Sequence, residues 1–341
     1  MNYRIFKALD KNFVNQLFEK KYSDYFPQSD PIKNIEIERI SPDWWEGACL
    51  TRYRIFFPDG SLKIIRGTAE VDGSKKWSYK IMKYLYENGF NKGKFQVPRP
   101  LDYIDKTGLF LYEEVRGEPF SLILEKNQYS PKFSEDIAKF LFKIHSLKNI
   151  KFKKKALIFS LKDYLKTYRR IKRLFPQVAK LFPLKKVHLV QEIKEEFSFI
   201  HGDFYTANLI TRGNKIILID LDKTGQGPIL YDLASFCSCF EFPKSIWPLR
   251  LPRANINKYQ DTFLKSYTEM TSWDLSWLKC ILNKYLAKVF LNSLNYYTGL
   301  AYKGWPVFTK KEKEVYRIQI RDLLEKINQY LKKYESSICC F

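Results

Sequence analysis

The sequence predicts an α+β fold in two lobes: a small N-terminal antiparallel sheet lobe carrying a helix, and a larger, mostly helical C-terminal lobe. Three observations carry that expectation. EGACLTRYRIFFPDGSLKIIRGTA places alternating apolar residues on both sides of Pro58-Asp59-Gly60, GLFLYEEVRGEPF runs from apolar to polar and ends in Gly and Pro, and from Lys258 to Tyr334 apolar residues recur at helical spacing. With 341 residues, 45% of them hydrophobic and 17% aromatic, the chain can bury a substantial core in both lobes and is too apolar for disorder.

Residues 1–45 mix apolar and polar side chains without a clean period and read as an extension of an N-terminal lobe that ends at 112. Leu50, Tyr53, Ile55 and Phe57 then fall close to a period of two, and after the turn LKIIR returns as the second strand of a hairpin. Past Asp72-Gly73, KKWSYKIMKYLYENGF puts Trp77, Ile81, Tyr84 and Leu85 on one helical face and stops at Asn88-Gly89. VPRPLDYI is extended and GLFLYE is a buried strand. Residues 113–119, EEVRGEP, break both periodicities and form the expected hinge, with 120–341 as the C-terminal lobe. There FSEDIAKFLFKIHSL lines up Ile137, Phe140, Leu141 and Ile144, residues 156–196 are helix-like with interruptions at Pro176 and Pro183, and YDLASFCSCFEF begins another helix. Long amphipathic helices follow, with breaks expected at Gly299, Gly304 and Pro306. No repeat or low-complexity tail occurs.

The net charge of +22 is spread along the chain, as in KFKKK at 151–155 and KKEKE at 310–314. No nucleic-acid motif accompanies it, so no specific nucleic-acid partner is indicated, while association with an anionic surface is compatible with the charge. The six cysteines form no CxxC pair and find few histidines to share a metal with, which suits reduced thiols. MNYRIFKALDKNF lacks the apolar core of a signal peptide, and no run of about 18 apolar residues provides a transmembrane segment. The expectation is a cytoplasmic protein.

The chemistry concentrates in FIHGDFYTANLITRGNKIILIDLD at 199–222, which reads as strand, polar loop, strand. His201, Asp203 and Asn208 have the spacing H-x-D-x-x-x-x-N of a kinase catalytic loop, where the Asp engages the substrate hydroxyl and the Asn holds a metal. Asp220 ends the strand KIILID, so a short hairpin brings its carboxylate beside Asn208. Phosphoryl transfer needs these types: hard oxygen ligands for Mg²⁺, and one carboxylate kept off the metal for the nucleophile. Any one of the three alone would serve as a turn or cap residue; the ordered set between two apolar strands is a stronger signal.

HGDFYTANLI followed by LIDLDKTGQGPILYDLA resembles the paired signature of the aminoglycoside phosphotransferase and choline kinase superfamily, relatives of the protein kinases that phosphorylate small molecules. Supporting features run over roughly 50–300, including VPRPL before GLFLYEEVRGEPF and the helix IAKFLFKIHSL. The resemblance implies a protein-kinase-like bilobal fold and transfer of the γ-phosphoryl group of ATP, or GTP, to a hydroxyl of a small acceptor. It further implies Asp203 as catalytic base, Asn208 and Asp220 as Mg²⁺ ligands, Asp222 as a supporting or additional metal carboxylate, and Glu113, Glu114 and Val115 as the residues whose backbone meets the nucleotide base. Asp232, His145 and His201 match architectural positions. The acceptor site would be built from helices over 236–300, which carry Phe236, Phe240, Phe242, Trp247, Tyr296 and Tyr297 beside Glu241, Asp261 and Glu269.

Three departures from the kinase pattern stand out. Laid against V-A-I-K, the strand SLKIIRG ends on Arg66, while Lys63 lies three residues earlier on the opposite face; either is a candidate phosphate ligand. The helix KKWSYKIMKYL has no acid to pair with a strand cation, and Glu70 is the nearest. No glycine-rich loop is present beyond the PDG turn. These gaps motivate an alternative, a catalytically weak pseudokinase or nucleotide-binding regulator.

Overall fold

A computed structural model describes residues 3–41, 47–126, 128, 130–147, 156, 160–186, 197–247 and 253–338. The chain divides into two compact units, one of residues 1–119 with 208–222 and the other of 120–207 with 223–341. The first holds an antiparallel sheet and the second is largely helical, an α+β arrangement. Residues 208–222, expected in the C-terminal lobe, pack with the first unit.

The main sheet of the first unit has five strands in the order Asn34–Arg39, Ala48–Phe56, Leu62–Glu70, Leu109–Glu113, Pro100–Ile104. The hairpin expected around Pro58-Asp59-Gly60 forms, with Gly60 at φ 80°, where a side chain would be strained. Strict alternation of burial along Cys49–Phe56 sends Cys49, Thr51, Tyr53 and Ile55 to one face. At Gly67 the two strands approach so closely that a Cβ would lie 2.4 Å from Thr51 Oγ1.

The face of Tyr53 and Ile55 is covered by the stretch that looked patternless. Asp10 caps the helix Lys11–Lys20 by accepting from the Phe13 amide at 3.1 Å, and that helix buries Val14 and Phe18. Phe18 stands edge-on to Tyr53 with ring centroids 5.4 Å apart, and the Tyr53 hydroxyl donates to Ala8 O at 2.8 Å. Ile35 and Ile37 supply the period-two signal of the edge strand. Residues 3–41 therefore contribute to the core of the first unit.

The helix Lys75–Leu85 ends where Asn88-Gly89 leaves helical geometry, Gly89 at φ 88°. Its buried face is not the expected Trp77–Ile81–Tyr84–Leu85 stripe; Lys75, Ser78, Ile81, Met82 and Leu85 go in. The stripe is rotated because two polar residues of the first turns face carboxylates. Residues 208–222 are held on both sides: Leu209–Arg212 and Lys215–Leu218 form a hairpin around Gly213, one strand pairing with Glu118–Pro119 and the other with Phe95–Gln96. Gly117 is required here, since a Cβ would meet Thr211 O at 2.4 Å.

In the second unit, Pro131–His145 buries Ile137, Phe140, Leu141 and Ile144 as expected and packs on Arg253–Thr268. Leu275–Gly304 packs along Lys310–Ile338 and also on Ile229–Ser238 and Leu161–Leu174. Gly299 does not break the first of these; it lies inside the helix, with Arg170 against it. The 161–174 helix stops before Pro176, while 187–196, most of 148–159, Cys339 and Cys340 lie outside the described residues. Cys49, Cys237, Cys239 and Cys280 are free thiols. No helix among the described residues is long and apolar enough to cross a membrane.

Phe18→Ala is expected to cost about 3–5 kcal/mol, because a fully buried ring leaves a cavity in the sheet core. Urea unfolding measures it, and a loss below about 1 kcal/mol would mean that the N-terminal helix is not integral to the unit.

Candidate active site

Asn208, Asp220 and Asp222 line one pocket of about 280 Å³ in the first unit, together with Leu50, Thr68, Glu70, Lys75, Ser78 and Tyr112. The hairpin explains the grouping: its base is closed by the Ile219 amide donating to Asn208 O at 3.0 Å, which puts Asp220 directly beyond the ladder. Asp220 has φ 58°, the single non-glycine residue in left-handed geometry among the described residues. Such a backbone costs a non-glycine residue about 1–3 kcal/mol.

Lys75 is the group that sequence reasoning missed. At 8% exposure it pairs with Glu70 Oε1 at 3.0 Å and with Asp222 Oδ2, while Ser78 donates to the other oxygen of Asp222. Burial pushes the Asp222 carboxyl up, but the Lys75 ammonium and the Ser78 hydroxyl outweigh it and hold the group below its usual range. For Lys75 burial acts downward, and Asp222 and Glu70 outweigh it and keep the ammonium charged. Burial pushes the Tyr112 phenol up to about 12, so it faces the pocket as a neutral hydroxyl. Glu70, Asp220 and Asp222 line the pocket with Lys75, three acids to one base.

The two expected phosphate ligands, Arg66 and Lys63, lie elsewhere in this unit. Arg66 and Arg52 both bind Glu114, at 2.5 and 2.9 Å. Lys63 lines a separate hollow with Tyr25, Arg99 and Glu113. Of the expected base-contacting backbone, the amides of Glu113 and Glu114 are committed to Arg99 O and Ile64 O, both at 2.9 Å. Val115 has no such bond among the described residues.

Asp203 belongs to the second unit, on a loop organised by Asp232. That carboxylate, fully buried, accepts from the amides of His201 and Gly202 at 2.7 and 2.8 Å and from His145 Nε2 at 3.2 Å. His145 Nδ1 in turn accepts from the Tyr267 hydroxyl at 2.7 Å, the tautomer being assigned from these partners. His201 Nδ1 accepts from the Asp203 amide at 3.2 Å. Gly202, at φ 78°, lies against Lys223 O, where a Cβ would sit at 2.6 Å. Both histidines are scaffold. The Asp203 carboxylate meets Lys223 Nζ at 2.8 Å. Of the acids over 236–300, Glu241 is buried against Lys326 at 3.0 Å, Asp261 pairs with Lys279 at 2.7 Å, and Glu269 is exposed, so they form no acidic cluster. Phe236 and Phe240 are core, Phe242 packs on Phe290 and Tyr205, and Tyr296 is exposed.

The phosphotransferase enzyme family model matches residues 59–272, which include both of these regions. The chain belongs to the phosphotransferase enzyme family. No curated protein sequence matches it. Among solved structures, this phosphotransferase is similar to a putative aminoglycoside phosphotransferase from Ralstonia eutropha JMP134, at 15% identity and TM-score 0.66 over 94% of this chain and 98% of the other. Amicoumacin kinase in complex with AMP-PNP, Ca²⁺ and Ami superposes at 15% identity and TM-score 0.63, with 96% of each chain covered. A choline kinase from Cryptosporidium parvum Iowa II does so at 12% identity and TM-score 0.62, again over 96% of each. At these identities the likeness establishes the fold, that of the protein-kinase-like small-molecule kinases.

The ion pair predicts a pH dependence. Asp222 is depressed in the folded state, so its contribution is present above the unfolded value of about 3.9 and is lost as pH falls through the folded one. Lys75 is raised, so its contribution is full below about 10.4 and is lost at higher pH. Lys75→Met is expected to destabilise the phosphotransferase by roughly 3 kcal/mol at neutral pH, by leaving carboxylates unpaired. In urea unfolding the gap to wild type should close as pH falls below about 4; a gap that stays constant into acid contradicts the pair.

Proposed function

We propose that this phosphotransferase moves the γ-phosphoryl group of ATP, or GTP, to a hydroxyl of a small molecule. The observation that carries the reading is the pocket that brings Asn208, Asp220, Asp222, Lys75 and Glu70 together, three acids and an amide around one base. Among the described residues no three His, Cys, Asp or Glu side chains gather into a metal cage. Mg²⁺ does not require one, because it is ordinarily held by one or two carboxylates with substrate phosphates and water completing its shell. Asn208 and Asp220 suit that role. Asp222, with its oxygens on Lys75 and Ser78, suits a supporting role more than a direct one. The ion, when bound, supplies positive charge against the phosphoryl oxygens. The presence of AMP-PNP and Ca²⁺ in the amicoumacin kinase structure supports a nucleotide and a divalent ion here.

The chain's own groups do the rest. The Asp203 carboxylate accepts or orients the acceptor hydroxyl proton, on a loop held by Asp232 and Gly202. Lys223 is ion-paired to that carboxylate, and an acceptor hydroxyl would take its place there. The Val115 amide is the backbone donor for the nucleotide base. Because the acids of 236–300 are ion-paired or exposed, the reading favours a neutral or anionic acceptor over a polyamine. The non-catalytic alternative drew on the missing strand lysine; a buried lysine in the pocket weighs against it.

Transfer of γ-phosphate from ATP with Mg²⁺, followed across a panel of hydroxyl compounds, tests the proposal. Asp203→Asn should slow turnover about 10²–10⁴-fold while nucleotide binding stays nearly intact. A wild-type protein that binds nucleotide but transfers to no acceptor would favour the regulator.

A further inference from the structure

The strand that would supply a phosphate-binding cation sends Thr68 and Glu70 to the pocket, and neither is basic. Arg66 on the same face is committed to Glu114, and Lys63 lines a different hollow. Lys75 is the one base among the described residues that line the pocket.

We propose that Lys75 is the nucleotide's phosphate ligand, supplied by the first turn of the helix Lys75–Leu85 in place of a strand lysine. This rests on the nucleotide-binding reading above. An ammonium has three N–H donors, and Glu70 and Asp222 take two of them, which leaves the third for an oxygen arriving in the pocket. The two acids also hold the head group in place, so little side-chain freedom is lost when an anion binds.

The helix geometry fits this role. Lys75 sits at the start of its helix, where the dipole favours an anion and disfavours a cation. The preceding Ser74 makes no side-chain cap and instead donates to Glu70 Oε2 at 2.5 Å. Ser78, one turn on, shares the inward face and binds the same Asp222 as Lys75. Polar groups of the strand end and of the first helical turns are thus directed to holding one ammonium beside Asn208 and Asp220. In family terms the polarity is exchanged: the acid, Glu70, ends the strand and the base, Lys75, opens the helix.

Calorimetric titration of wild type, Lys75→Met and Lys75→Arg with adenosine and with a non-hydrolysable ATP analogue plus Mg²⁺ separates the possibilities. Loss of one charge-assisted contact should weaken the analogue about 10- to 100-fold in Lys75→Met, leave adenosine close to wild type, and be partly restored in Lys75→Arg. Retained adenosine binding also reports that the variant is folded. The assignment is overturned if Lys75→Met binds the analogue as wild type does, if both ligands weaken together, or if the loss appears instead in Arg66→Ala or Lys63→Ala. Wild-type protein that binds neither ligand overturns the nucleotide reading itself, and the assignment with it.

Discussion

A buried lysine held between two acids is the interaction on which the first unit depends. Lys75 joins the strand Leu62–Glu70, the helix that begins at Lys75 itself, and the segment that ends at Asp222. An ammonium at 8% exposure is costly unless it is paired, and removing any one partner leaves a buried charge behind. This requirement accounts for the membership of residues 208–222 in the sheet-bearing unit, although the chain on both sides of them belongs to the other. The hairpin ladders supply the backbone half of the attachment, and Asp222 supplies the electrostatic half.

A carboxylate plays the corresponding part in the second unit. Asp232 gathers two successive amides and an imidazole, so the turn at His201-Gly202 has one conformation that satisfies all of its donors. The left-handed Gly202 then brings Asp203 to Lys223. The kinase-like motif thus has its two ends in different units, each with its own electrostatic support.

Much of this was legible in local pattern. The hairpin at 48–70 and the helix Pro131–His145 follow from periods of two and 3.6, and the ordered triplet Asp203, Asn208, Asp220 drew attention by spacing alone. What escaped had physical reasons. The edge strand Asn34–Arg39 alternates Ile35 and Ile37 with charged residues, but over too short a run to stand out from its surroundings. Lys75 was hidden by composition: in a chain with 59 Lys and Arg, one more lysine on a helix looks like solvated surface, and its partner Asp222 is remote in sequence. Choosing the helix face by apolar residues then selected Trp77 and Tyr84, since no apolar count registers a buried ion pair. Gly299 failed as a helix breaker because the helices packed around Leu275–Gly304 outweigh a propensity penalty of about 1 kcal/mol.

The most direct measurement is a crystal structure with a non-hydrolysable ATP analogue and Mg²⁺ bound. Lys75 Nζ should lie within hydrogen-bonding distance of a phosphate oxygen while still touching Glu70, with the metal on Asn208 and Asp220. Phosphates gripped by Arg66 or Lys63, with no phosphate oxygen on Lys75, would contradict a phosphoryl-transfer pocket built around the helix lysine.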